Sequence, residues 1–353
     1  MWPLYLRDLG ASAQDIGVVF GAGNLVAVLC FLPAGYLADR VGRRPLITAA
    51  WLLAALGVAS FVPLTDWRGA FVGSALYWSG TAGLPLIIAY VTGTTPRAEL
   101  GRALGIVLGS YFAGNILGAP IAGVIAASFG FRAAVSVASG FLAASALLTF
   151  FMRAVPPHPE RGAFRPPRAF WVLLAITPFA AMLSIVSLAF LPIYLRDVAA
   201  IPLDRLGFYV ALVSVGAAAL AVAAGRLADA IGTVPALLAS AGILTAASVL
   251  IALSGRDATL VAVAVLLLGA TQAANPVVAS AVERIIPPAR AAQGYATYQV
   301  AFALGFGGGG TIAGFLYEAD PLLPFVVTAA LALPVAATVA AVLNATAPRT
   351  VVA

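Results

Sequence analysis

The 353-residue chain is 62% hydrophobic and 9% charged, with a formal net charge of +6. A soluble domain carries about 25% charged residues, so this composition excludes a soluble fold and points to a polytopic helical membrane protein. All basic residues are Arg, set in separate loops between apolar spans, which excludes a nucleic-acid surface. Cys30 stands alone, so there is no internal disulfide, and the lone His158 excludes a His-based metal site or catalytic dyad in the membrane. Neither an enzyme nor a cofactor protein is expected.

The first informative segment is Pro3-Leu4-Tyr5-Leu6-Arg7-Asp8, which returns as Pro192-Ile193-Tyr194-Leu195-Arg196-Asp197. Further on, Gly35-Tyr36-Leu37-Ala38-Asp39 is echoed by Gly225-Arg226-Leu227-Ala228-Asp229, and Gly42 by Gly232. The second half is therefore built like the first.

Eleven apolar spans are expected, at 15–38, 46–63, 70–92, 101–128, 133–152, 170–194, 205–228, 234–254, 258–284, 290–316 and 322–345. Each is near or above the ~20 residues that cross a hydrocarbon core. The polar, Pro-rich stretch 153–169 reads as a linker between an N-terminal bundle, 1–152, and a C-terminal bundle, 170–353. With that linker in the cytoplasm, thirteen Arg fall inside and six outside, which satisfies the positive-inside rule. A full span, 170–194, carries the second Arg-Asp block, but only two residues precede the first block. The expectation is that a first helix is missing, from a late start or a fragment, and that a complete chain has twelve spans. A genuine eleven-span protein with an outside N-terminus is the alternative.

The loop Gly35-Tyr36-Leu37-Ala38-Asp39-Arg40-Val41-Gly42-Arg43-Arg44-Pro45 resembles the signature loop of the major facilitator superfamily. The resemblance covers the whole chain apart from that first helix. It implies an all-α membrane protein of two pseudo-symmetric bundles, a central cavity, and alternating access by rocking of one bundle on the other. It also implies a multi-pass protein of the cell membrane, monomeric by family default. In the family this loop is thought to stabilise the outward-facing state.

The residues make physical sense in that role. Gly35 and Gly42 allow close helix approach and a sharp turn. Asp39 lies beside Arg40, Arg43 and Arg44, where an ion pair can latch the cytoplasmic side, and the same Arg residues set topology. Asp39→Asn is expected to reduce transport and leave membrane insertion nearly intact. In the second copy Asp229 remains, but Ala230, Thr233 and Val234 replace the three Arg. Glu283 can supply an ion pair there instead, with Arg226 or Arg284.

The span 101–128 carries Gly105, Gly109, Gly114, Gly118, Pro120 and Gly123. It partly resembles the family's fifth-helix antiporter motif, which implies export by a bent helix packed across the interface of the halves. Ordinary small-residue helix packing is the alternative reading. The family's fourth-helix Arg, linked to proton transfer, is replaced here by Leu76 before Gly80. No mid-membrane carboxylate is visible, so a coupling proton would be carried on the absent helix or by Asp15, or else transport is uncoupled.

Polar and aromatic residues within spans are the cavity candidates: Asn24, Tyr77, Trp78, Tyr111, Asn115, Gln272, Asn275, Tyr298 and Gln299. Each also fits plain helix–helix packing. Pro85 and Pro276 match across the repeat and are expected to kink helices beside the cavity. The function expected is efflux of small organic molecules, drugs included, in exchange for protons. The alternatives are an importer of sugars or small organic solutes, and a membrane sensor that moves nothing. The partners are the solute, the bilayer and, for an antiporter, protons.

Overall fold

The computed structural model describes residues 1–154, 166–273, 286 and 291–346. The described residues are helical with short turns. A first short helix, α1 (Trp2–Asp8), has Pro3 in its first turn, where a missing N–H costs nothing. The long α2 (Ala13–Val41) starts on a capping box: the Asp15 N–H donates to Ser12 Oγ at 3.1 Å, and the Ser12 N–H donates to Asp15 Oδ2 at 3.0 Å. Gly42, at φ +88°, turns the chain directly into α3 (Arg43–Ala59).

After a cap in which Asp66 accepts from the Arg68 N–H at 2.8 Å come α4 (Ala70–Gly80) and α5 (Gly83–Thr94). The expected span 70–92 is thus two helices broken at Thr81–Ala82, just before Pro85. Next are α6 (Arg97–Phe129), which contains Pro120, and α7 (Phe131–Leu148).

The second half repeats this order. It runs through α8 (Arg168–Ala189), α9 (Leu191–Asp197), α10 (Leu203–Ile231), α11 (Thr233–Ser254), α12 (Ala258–Leu267) and α13 (Ala270–Ala273). Then come α14 (Ala291–Ala319) and α15 (Leu323–Thr346). The α4/α5 break has its counterpart in the break between α12 and α13.

Nine stretches among the described residues are long and apolar enough to cross a membrane. Two expected spans fall short of that standard. The span expected at 46–63 is the 17-residue α3, which begins directly after Gly42 and ends before a turn. The span expected at 258–284 is described only as far as residue 273. Large apolar side chains stay on the outside, Phe129, Phe141, Phe151 and Leu253 among them, with Phe151 85% exposed. In water such a surface would drive aggregation, whereas against lipid it costs nothing.

The chain has two ends, defined by sequence landmarks. The Arg-Asp blocks of α1 and α9 mark the block side, and the Gly42 and Gly232 turns mark the connector side. On the block side a single apolar core joins both halves: Leu4, Tyr5, Ile16, Phe61 and Phe131 pack with Ile193, Tyr194, Ile251, Tyr317 and Phe325. Ala27, Phe31 and Ala82 also pack with Ala303 across the halves, and toward the connector side other clusters belong to one half each. One gathers Ala38, Ile47 and Leu86, and another Phe170, Leu173, Leu174, Ile286 and Tyr298. Apolar contact between the halves is therefore most extensive on the block side and continues through the cluster of Ala27 and Ala303.

Candidate functional site

The halves meet along two helix pairs, and both contacts depend on missing side chains. Along α2 and α14, a Cβ on Gly17 would come within 3.0 Å of the Gly310 and Thr311 carbonyl oxygens and of Gly314 Cα. Backbones this close leave room only for glycine. Thr311 Oγ1 donates to the Gly17 carbonyl at 3.1 Å across the same seam. Along α6 and α10, a Cβ on Gly207 would lie 2.2 Å from the Ala119 carbonyl oxygen, beside Pro120, and Gly123 faces the Gly207 backbone.

Along the α2–α14 seam, and joined by α4, runs a ladder of rings contributed by both halves. Phe20 of α2 lies edge-on to Trp78 of α4, with centroids 5.1 Å apart, and tilts against Phe306 of α14 at 5.6 Å. Trp78 also meets Phe306 at 5.9 Å. The ladder continues through Phe302, stacked on Phe306 at 5.6 Å, to Tyr298 at 6.3 Å from Phe302. On the block side it reaches Trp2, 6.2 Å from both Phe20 and Phe61. Tyr77 joins edge-on to Trp78 at 5.4 Å. Edge-to-face and offset contacts at these distances are the favoured geometry of aromatic pairs.

The structure gathers some of the expected cavity residues here. Tyr77 is 37% exposed and Tyr111 of α6 is 53% exposed. Trp78 is half-buried. Asn24 is only 2% exposed, and its Nδ2 donates to the Phe20 carbonyl one turn back at 2.9 Å while its Cβ faces Gly307. Asn115 is exposed and makes the same kind of bond, to the Tyr111 carbonyl at 2.9 Å. Each amide nitrogen thus has an acceptor within its own helix.

Tyr298, the last ring of the ladder, is buried against Phe170, Leu173 and Leu174. Gln272 and Gln299 are half-buried, and Asn275 lies outside the described residues. Of the α6 glycines, Gly123 makes a helix contact, whereas a Cβ on Gly105, Gly114 or Gly118 would meet nothing within 4 Å. An apolar cleft of about 690 Å³ opens between α6 and α10, lined by Ile116, Leu117, Pro120, Ile121, Phe208 and Leu212.

At the connector side, Arg43 Nη1 donates to the Ala89 carbonyl at 2.6 Å and Arg44 Nη2 donates to the Phe150 carbonyl. These two Arg therefore tie α3 to α5 and to the end of α7 through main-chain acceptors, beyond the side-chain ion pair expected of them. A cavity of about 470 Å³ lies against this turn, lined by Gly42, Arg44, Pro45, Thr48 and Phe150. Arg40 closes the last turn of α2. Side-chain placement at Gly35 and Asp39 lies outside the described residues, as does Glu283, while Asp229 is exposed.

Two pseudo-equivalent helical halves that meet along small-residue seams, with rings from both halves beside one of them, make a two-bundle membrane fold. The sequence profile of the Major Facilitator Superfamily matches residues 1–203 and again residues 172–352. The chain belongs to the major facilitator superfamily and is a multi-pass inner-membrane protein. It is 29% identical over 160 residues to the multi-drug resistance efflux pump PmrA of Streptococcus pneumoniae, a match covering 42% of this chain and 38% of PmrA. It is 30% identical over 173 residues to the multidrug resistance protein MdtG of Dickeya zeae, covering 45% of this chain and 41% of MdtG. The chain thus spans about two fifths of the length of these relatives. A crystal structure of the nucleoside transporter NupG superposes with a TM-score of 0.77 at 14% identity, covering 98% of this chain and 94% of that one. At that identity the likeness concerns the fold.

Proposed function

We propose that the chain exports small lipophilic organic molecules, with the ring ladder as its solute-binding surface. In this reading the bundles 1–152 and 170–353 rock on the α2–α14 and α6–α10 seams, and the connector side, with residues 153–169, faces the cytoplasm. The Asp39–Arg44 turn, with Asp229 and Glu283 in the second half, is the cytoplasmic latch. The chain works as a monomer and exchanges its solute for protons.

The observation that carries the reading is the ladder itself. Trp78, Phe20, Phe306 and Phe302 present a continuous aromatic surface contributed by both halves. Rings of this kind offer large contact area to flat apolar solutes and no partner for a multiply charged one. The exposed phenols of Tyr77 and Tyr111 add polar tips at one edge. The similarity to efflux pumps supports the direction.

Efflux of phenylnaphthylamine, a neutral lipophilic fluorophore, from pre-loaded cells tests the reading. Cells expressing the chain are expected to lose dye faster than empty-vector cells. Trp78→Ala and Phe306→Ala each remove a ring and are expected to slow efflux about tenfold, the effect of losing roughly 1–2 kcal/mol of ring contact. Efflux at the wild-type rate in both variants would sink the ladder as the binding surface.

A further inference from the structure

The duplicated Arg-Asp block has no part in the ladder or the latch, yet its two copies face one another. Arg7 Nη2 lies 2.9 Å from Asp197 Oδ2, and Arg196 Nη1 lies 3.0 Å from Asp8 Oδ1. Each arm gives its Arg to the other arm's Asp, so the contact is reciprocal, as expected of one sequence placed on both sides of a pseudo-two-fold axis. We infer that this reciprocal pair is a gate: it holds the block side closed, and its release is the step that opens that side.

Each arm is fixed to its own half by the Tyr two positions before its Arg. Tyr5 OH donates to the Phe61 carbonyl at 2.9 Å, and Tyr194 OH donates to the Ile251 carbonyl at 3.1 Å. Both acceptors sit at the block-side end of the matching helix, α3 in one half and its turn, α11 in the other. The arms are otherwise buried: Leu4, Leu6, Ile193 and Leu195 are fully enclosed. The charged tips are therefore mounted on buried supports, each tied by its tyrosine to its own half. A third crossing contact lies beside them, where Glu318 Oε2 accepts from the Ala13 N–H at 2.8 Å and binds α14 to the start of α2.

The four charged side chains keep roughly a third to two fifths of their surface exposed. Exposed ion pairs are individually weak. That is what a gate needs, because a strong clasp would lock one state, and a two-state equilibrium moves by only the difference in contact between the states. Pairs of opposite charge that meet only when the halves close on this side make that difference.

The inference rests on the transporter reading, but its test needs no solute. Spin labels are placed at Thr65→Cys and Arg256→Cys, in exposed block-side loops of the two halves, with Cys30→Ser removing the native thiol. Pulsed dipolar spectroscopy on the purified chain then reads the distance between the halves on this side. Asp8→Asn with Asp197→Asn is expected to raise the long-distance fraction about three- to tenfold, the range two exposed pairs supply. The exchange Arg7→Asp with Asp197→Arg keeps one pair with its signs reversed, and is expected to return the distribution most of the way to wild type relative to either single change. Identical distributions in the wild type and the neutralised variant, with both melting as folded proteins, would overturn the gate. Failure of the exchange to recover the closed distance in a folded protein would overturn it equally.

Discussion

At the scale of single residues, conformation and hydrogen bonding make separable demands. Gly42 sits at φ +88° and Gly232 at φ +100°, each joining two long helices without a loop. An L-residue in that region costs roughly 1–2 kcal/mol. Gly42→Ala is therefore expected to lower the stability of the detergent-purified chain by about that amount, read as a lower melting temperature. An unchanged melt would show that the turn has another conformation. Tyr5→Phe and Tyr194→Phe each remove one buried hydroxyl bond, worth about 1 kcal/mol and more where the carbonyl is left unsatisfied. Because the two bonds occupy equivalent places, their costs are expected to match within about 0.5 kcal/mol and to add in the double variant.

Residue types were legible in the sequence to the extent that backbone geometry demanded them. Gly42 was legible because a sharp turn between two apolar spans leaves few choices. The ladder was less so. Tyr298, Phe302 and Phe306 recur every four residues, which puts them on one helix face, and that spacing was the available signal. Phe20 and Trp78, in contrast, meet only through tertiary packing, and no local pattern links α2 to α4. Asn24 and Asn115 were singled out for polarity, but polarity alone does not reveal that each spends its amide on its own helix backbone.

At the scale of elements, apolar length located the spans and Pro85 marked the break between α4 and α5. The short arm α9 was hard to read as a separate helix, because the break at Phe190 falls inside an apolar run and Pro192 in the following first turn is its one local mark. The seams are the elements' most demanding feature. A side chain on Gly310 would collide with the Phe20 ring, at 2.1 Å from Cδ1, and one on Gly314 with the Ala13 carbonyl at 2.6 Å. Overpacking a tight contact costs about 1–3 kcal/mol. Gly314→Val is expected to wedge α14 from α2, lower the melting temperature and reduce dye efflux more than Gly105→Ala, whose Cβ meets open space. Equal effects of the two substitutions would contradict the α2–α14 seam.

At the scale of the whole molecule, the duplication explains more than any single motif. The same six-residue block, the same Tyr-to-carbonyl bond, the same glycine turn and the same helix break occur in both halves. Each half has its own connector-side cluster, and the two share a block-side core. The repeat was plain in the sequence, and what it could not disclose was that its charged ends meet. Sequence identity says that two segments share a structure, whereas their contact depends on where the pseudo-symmetry axis passes.

The most direct measurement is dye movement in inside-out membrane vesicles containing the chain, under an imposed pH gradient, acid inside. Accumulation of phenylnaphthylamine that collapses when the gradient is dissipated is the expected result, since the connector side then faces the bath and export runs inward. Dye levels equal to those of empty vesicles, with the chain inserted and folded, would contradict export of lipophilic solutes coupled to protons.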